Sequence, residues 1–212
     1  MSRHSISRPH RARRQAAPLH KGGGKGKLRI IGGEYRRRWL PILDSPGLRP
    51  TPDRVRETLF NWLAAACSGV RVLDLYAGTG ALGLEALSRG AREAVFVEHD
   101  PAVAAALEAN LATLGAIGQV ETADALAFLE RTATPFSLVF LDPPFRHELA
   151  EASCVALEEH GWLTEEAFIY LETEQEYCPR VPATWQLHRE VRAGDSTGRL
   201  YRRTASLASD GC

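Results

Sequence analysis

Four consecutive residues, Asp142-Pro-Pro-Phe145, follow an apolar run from Phe136 to Leu141 in this 212-residue chain. Such a run reads as a buried strand, so the tetrapeptide stands at the strand's end. Two prolines in a row, Pro143 and Pro144, fix the backbone and donate no hydrogen bonds. That leaves the Asp142 carboxylate and the Pro143 carbonyl as rigid acceptors. The chemistry they suit is activation of an amino group on an aromatic ring, whose lone pair is delocalised and poorly nucleophilic. Acceptors that hold its hydrogens favour a pyramidal nitrogen with the lone pair aimed outward, which is positioning and electrostatic help rather than covalent catalysis. Phe145 adds a flat apolar face for an unstacked base. Read alone, an Asp-Pro pair also starts ordinary turns.

A second constellation lies at Asp74-Leu-Tyr-Ala-Gly-Thr-Gly-Ala-Leu-Gly83. Gly78, Gly80 and Gly83 match G-x-G-x-x-G, and Glu98 lies 20 residues after Gly78. Spacing alone reads as a dinucleotide fingerprint, or as no more than a tight strand-to-helix turn. Asp74 separates the cofactor choices. A carboxylate just before the glycine turn repels a pyrophosphate but attracts the ammonium and sulfonium of S-adenosylmethionine. Glu98 is placed to accept from ribose hydroxyls, and Asp124 from an adenine amino group. Each acid alone could be a helix cap or a surface charge. The candidate cofactor contacts are therefore Asp74, then Ala77, Gly78, Thr79 and Gly80 in the turn, with Glu98, His99, Asp124 and Ala125 at the next strand ends.

The elements that must position these groups alternate. Strands are expected at Val70–Leu75, Ala94–Glu98, Gln119–Thr122, Phe136–Leu141 and Ala167–Glu172. Helices are expected at Ala81–Arg89, Pro101–Leu114, Ala125–Arg131 and His147–His160. This alternation implies an α/β fold, a mostly parallel sheet with helices on both faces, with ligands beyond the carboxyl ends of the strands. Trp185–Val191 and Arg199–Arg203 read as two closing strands with no helix between them. Upstream, Leu28 to Leu40 reads as two short strands hinged at Gly32-Gly33. A proline-rich loop follows, then a helix from Thr51-Pro52-Asp53 to about Ala66 with Leu59, Trp62 and Leu63 on its apolar face.

Composition narrows the classes. Hydrophobic residues make up 44% and charged residues 25%, an ordinary soluble balance with no apolar run of membrane-spanning length. Cys67, Cys154, Cys178 and Cys212 lack paired metal-ligand spacing, so no metal is expected. The formal net charge of zero hides an asymmetry: residues 1–40 carry 12 Lys/Arg against the single acid Glu34. Residues 1–26 have little to bury and are expected to be a disordered basic tail, either solvated or in contact with nucleic acid. Residues 27–204 form the expected domain, opened by a β-hairpin over 27–41, and residues 205–212 a flexible terminus. Arg36, Arg37 and Arg38, between Tyr35 and Trp39, suit RNA backbone contact and stacking, or a charged edge strand that resists aggregation. Arg49 and Arg54 could meet a cofactor carboxylate or an RNA phosphate. Arg56 and Glu57 are expected on a solvated helix face.

Asp74–Gly80 together with Asp142–Phe145 resembles the signature of Rossmann-like amino-group methyltransferases. A more specific likeness covers about residues 28–203. Leu28-Arg-Ile-Ile-Gly-Gly, Asp44-Ser-Pro-Gly-Leu-Arg-Pro-Thr, Asp53-Arg-Val-Arg-Glu-Thr-Leu-Phe-Asn-Trp-Leu and Gly80-Ala-Leu-Gly-Leu-Glu-Ala-Leu-Ser-Arg closely resemble the RsmD family. Trp185-Gln-Leu-His-Arg-Glu and Arg199-Leu-Tyr-Arg are similar to that family's last two strands. The resemblance implies a class I S-adenosylmethionine methyltransferase fold with a seven-stranded, mostly parallel sheet, one strand being antiparallel. It implies N2-methylation of one guanine in 16S ribosomal RNA, with Asp142 to Phe145 catalytic. A 30S particle or assembly intermediate as partner, a monomer and a cytoplasmic location go with it. The arginine-rich segment before residue 27 matches no family feature. Other readings are a nicotinamide oxidoreductase, an adenine-N6 or protein-glutamine methyltransferase, and a non-catalytic RNA-binding assembly factor. Asp74 and the Asp-Pro-Pro-Phe loop do not fit the first. The absence of a DNA target-recognition domain and the Asp at 142, where glutamine enzymes commonly carry Asn, count against the second. The intact tetrapeptide counts against the last.

Overall fold

The computed structural model describes residues 26–43, 48, 51–145 and 147–204, with His147 described by its backbone alone. The segment 1–25, Arg49 and residues 205–212 lie outside the described residues.

A two-stranded antiparallel hairpin, β1 (Gly26–Arg29) and β2 (Trp39–Ile42), leads to helix α1 (Asp53–Trp62). The alternating part follows as β3 (Arg71–Asp74), α2 (Ala81–Ser88), β4 (Glu93–Glu98), α3 (Pro101–Leu114), β5 (Gly118–Thr122), α4 (Ala125–Leu129), β6 (Phe136–Leu141) and α5 (His147–Glu159). Three strands close the chain: β7 (Leu163–Glu174), β8 (Trp185–Ala193) and β9 (Ser196–Thr204). The seven-stranded sheet has the order β5-β4-β3-β6-β7-β9-β8. β9 alone runs against its neighbours, pairing antiparallel with both β7 and β8. This is the class I methyltransferase architecture.

Side-chain alternation along the strands builds two cores. Val72, Leu138 and Phe140 point to the face covered by α1, α2 and α3, where they meet Phe60, Leu84 and Leu107. Leu73, Val139 and Leu141 point the other way, to Phe128, Leu157 and Trp162. Strands buried on both faces read as continuous apolar runs for this reason. The helices are stopped and started by local chemistry. Asp100 accepts from the Ala102 and Val103 amides at the head of α3, and Gly115 ends it at φ 66°.

The hairpin is pinned to the body by one buried carboxylate. Glu85 of α2 accepts from the Ile31 and Gly32 amides at 2.8 Å each and from Arg89 Nε at 2.8 Å. Arg56 stands against it, 3.6 Å from Nη1 to Oε2, and also donates to the carbonyls of Thr51 and Arg29. The expected solvated face at Arg56 is therefore wrong. Arg56 is 1% exposed, because only its long, many-donor side chain can tie α1, the hairpin and α2 together.

Other boundaries differ as well. Arg36, Arg37 and Arg38 are not on a strand; the ladder ends at Arg29 and resumes at Trp39. The connecting turn must reach the end of α2, where Glu34 N donates to Ser88 O at 2.7 Å and Tyr35 N to Ser88 Oγ at 2.9 Å. α1 ends at Trp62 rather than near Ala66, where the chain turns back toward β3. β7 begins four residues early, since Leu163 already pairs with Phe136 across an irregularity in register.

Candidate active site

At the carboxyl ends of the strands lies a cavity of about 930 Å³, the size of a site for a cofactor and part of a second molecule. It sits where β3 meets β6, the point at which strand order reverses. Its wall carries an acid from each of five neighbouring strand ends: Asp124 after β5, Glu98 of β4, Asp74 of β3, Asp142 after β6 and Glu172 of β7. Among the described residues, no Lys or Arg lines it.

Each acid is held differently. Asp74, 2% exposed, accepts the Gly83 amide at 2.9 Å through Oδ2. Burial pushes its pKa up to about 7, partly opposed by that hydrogen bond and reinforced by the charge of Glu98. Glu98 accepts from the Gly78 amide at 2.9 Å and the Asp100 amide at 2.8 Å. His99 Nδ1 lies 3.1 Å from Glu98 Oε1, with the ring exposed. Asp124 caps α4 by accepting from Ala127 N at 3.0 Å, so it is a cap and a cavity wall at once. The pKa of Asp142 is raised well above the usual carboxylate range by burial, with Glu172 and Asp74 adding repulsion.

The expected site residues converge. Asp74, Ala77, Gly78, Thr79, Glu98, His99, Asp124, Ala125 and the whole Asp142-Pro-Pro-Phe145 motif line this one cavity. Phe145 is 55% exposed, a large ring left at the mouth. Gly80 does not line it. Its positive φ of 73° and the bond from its amide to Ala77 O, 2.7 Å, close the turn that starts α2. Other wall residues were not among the candidates. Thr51 and Pro52 bring the loop before α1 into the wall, and Glu172 joins from β7. Glu172 ends the strand expected over 167–172, so the rule that picked Asp74, Glu98 and Asp124 could have picked it too.

The basic candidates divide. Arg54 is exposed on the first turn of α1, beside the wall residues Thr51 and Pro52. Arg36, Arg37 and Arg38 lie in the turn that packs on the tails of α2 and α3, away from the strand ends that carry the cavity, and Arg38 Nη1 reaches the Thr113 carbonyl near the tail of α3. Along α3, ten residues separate Val103 of the cavity wall from the Thr113 contact of Arg38, about 15 Å at 1.5 Å per residue.

Fold and site together define a class I methyltransferase. The family model described as "Conserved hypothetical protein 95" matches residues 28–202. The chain belongs to this family, that of the ribosomal RNA small subunit methyltransferases D, as the RsmD resemblance implied. The enzyme of that name from Escherichia coli (strain K12) is 54% identical over 189 residues, covering 88% of this chain and 96% of the relative. Its Haemophilus influenzae counterpart is 45% identical, covering 84% and 95%. The solved structure of the putative methyltransferase yhhF from Escherichia coli superposes with a TM-score of 0.81 at 51% identity, covering 85% of this chain and all of that one.

Proposed function

We infer that this enzyme methylates the exocyclic N2 of a guanine in small-subunit ribosomal RNA, using S-adenosylmethionine. The observation that carries the reading is the row of acids across β5, β4, β3, β6 and β7, in a cavity that no described Lys or Arg lines. Such a wall accepts hydrogen-bond donors and cations and disfavours a pyrophosphate, which argues against a dinucleotide. S-adenosylmethionine fits it, carrying an ammonium, a sulfonium, two ribose hydroxyls and an adenine amine. Asp74 suits the cationic groups, Glu98 the hydroxyls and Asp124 the adenine, around the turn Ala77–Gly80. When bound, the cofactor supplies an electrophilic methyl group.

The remaining chemistry belongs to the chain. Phe145, at the mouth, offers a face for the base once it leaves its stack. Asp142 and the Pro143 carbonyl accept the two amine hydrogens and hold the nitrogen's lone pair toward the cofactor side. The amine loses one proton as it gains carbon, and the Asp142 carboxyl, whose proton affinity is raised by burial and by Glu172 and Asp74, is the group placed to take it up and pass it to water. Family membership favours ribosomal RNA as the carrier of the base. We place the reaction on a 30S particle or assembly intermediate in the cytoplasm, with the enzyme acting as a monomer.

The test is transfer of label from methyl-labelled S-adenosylmethionine to small-subunit particles, and separately to naked ribosomal RNA, both from cells lacking the enzyme. N2-methylguanosine in the digested product is expected, more of it from particles. Label recovered as N6-methyladenosine would overturn the guanine reading.

A further inference from the structure

Of the five acids at the strand ends, Glu172 is the one with no part in that reaction. The register Leu141↔Leu171 between the parallel strands β6 and β7 sets Asp142 and Glu172 side by side at the strand ends. Glu172 is 7% exposed and its carboxylate is fixed from behind. The Tyr170 hydroxyl donates to Oε2 at 3.0 Å, and Ser196 Oγ donates to Oε1 at 2.6 Å. Gly198, paired with Glu172 across β7 and β9, makes room for this arrangement: a Cβ there would stand 2.1 Å from the Tyr170 hydroxyl. Among the described residues no cation pairs with Glu172. A carboxylate offers about four lone-pair positions, so two remain, and the cavity is where they can be used. A buried, fixed and charge-uncompensated acid costs stability and gains nothing from its place unless a donor arrives there.

The row of acids says which donor. Asp124, Glu98 and Asp74 occupy the cofactor half, β5 to β3, and Asp142 and Glu172 occupy the half next to it, β6 and β7. A guanine whose N2 amine is held by Asp142 presents one further donor on the same edge, the ring N1–H. Adenine in the same place presents N1 as a bare acceptor, whose lone pair would face a carboxylate. We propose that Glu172 accepts the N1–H of the target guanine and so determines which base the site admits. The proposal rests on the guanine reading above. Sites that hydrogen-bond a substrate N–H reject analogues lacking it strongly, because a buried polar group is then left unpaired. A carboxylate on N1–H also shifts electron density toward N2, which assists the attacking nitrogen.

The experiment compares binding of guanosine, 2-aminopurine riboside and adenosine to the enzyme saturated with S-adenosylhomocysteine, followed by ligand-observed NMR. 2-Aminopurine riboside keeps the exocyclic amine but lacks the N1 hydrogen. The wild type should favour guanosine over it by about tenfold or more, and Glu172→Gln should bring the ratio down to about two, with S-adenosylmethionine affinity unchanged within about twofold. Tyr170→Phe, which loosens the carboxylate without removing it, should give an intermediate ratio and serves if Glu172→Gln does not fold. A guanosine preference that survives in the folded variants overturns the assignment of Glu172 while leaving guanine methylation standing. A wild type that prefers adenosine overturns the guanine reading and this proposal with it.

Discussion

Glu85 and Asp142 are acids within one domain, and their surroundings are opposite. Glu85, fully buried, receives two backbone amides and Arg89, with Arg56 alongside. Asp142 faces the cavity with Asp74 and Glu172 as its charged neighbours, and its pKa is driven upward. The first acid is complete without a ligand and holds structure. The second is incomplete in just the way that a hydrogen-bond donor or cation would repair. Partnering, more than burial, separates the acids that fold this enzyme from those that work in it.

That contrast can be broken by exchanging the expected losses. Asp142→Ala should reduce methyl transfer to small-subunit particles by about 10³-fold, in line with the removal of one preorganised electrostatic group. Its thermal midpoint should be unchanged or higher, since a repulsive charge is gone. Glu85→Ala strips the Ile31 and Gly32 amides and Arg89 of their acceptor and leaves buried Arg56 with Asp53 as its remaining counter-charge, and should cost about 3–5 kcal/mol of stability, read as a large drop in denaturant midpoint. If Asp142→Ala unfolds the protein and Glu85→Ala does not, the division of roles is wrong.

A finer test uses pH. The pKa of folded Asp74 lies near 7, above its ordinary carboxylate value. Proton binding therefore favours the folded state: the stabilisation is complete below about pH 4 and is lost as pH rises through about 7. Asp74→Asn should accordingly melt several degrees above the wild type at pH 8 and alongside it at pH 4, without ligand. Cofactor affinity has the opposite sign. Wild-type binding of the cationic S-adenosylmethionine should strengthen between pH 6 and 8 as Asp74 ionises, and Asp74→Asn should bind weakly with a flat profile. Calorimetry at several pH values distinguishes these, and equal affinity of the two proteins at pH 8 would remove Asp74 from the cofactor site.

Much of this was legible in the sequence because it is written locally. The strand, glycine turn and helix around Asp74, and the apolar strand before Asp142, each lie within about ten residues of sequence. The order of elements then puts both at the same end of the sheet. Arg56 was misread because its partners are remote in sequence: Glu85 is 29 residues away and Arg29 is 27, and nothing in Asp53-Arg-Val-Arg-Glu reveals which arginine turns inward. Glu172 differs: its place at the end of an expected strand was legible, and only what fixes its carboxylate was not. Its supports, Tyr170 and Ser196, come together only through the β7–β9 register. Asp124 shows that two readings can both hold, since capping α4 leaves one carboxylate oxygen for the cavity.

The smallest expected effect concerns the basic hairpin turn. Arg36, Arg37 and Arg38 are exposed, as RNA-binding side chains must be, yet their turn packs on the tails of α2 and α3, away from the cavity. Only an extended substrate reaches both places, so whatever they bind is remote from the base being methylated. Changing all three to Ala should therefore raise KM and leave kcat alone. Every arginine taken off a phosphate should lower the steepness of log affinity against log salt by about 0.7–0.9, or roughly two to three for the set. Arg54→Ala, beside Thr51 and Pro52 at the mouth, should act instead on kcat/KM, with a slope shallower by about 0.7–0.9. The measurement is RNA or particle affinity at several salt concentrations, paired with single-turnover rates. A triple variant with the wild-type slope means that the turn touches no phosphate, and the electrostatic footprint then belongs to the cavity end around Arg54. A triple variant with normal affinity but slowed single turnover would mean that the turn acts on chemistry from about 15 Å away, which its packing against the ends of α2 and α3 gives it no means to do.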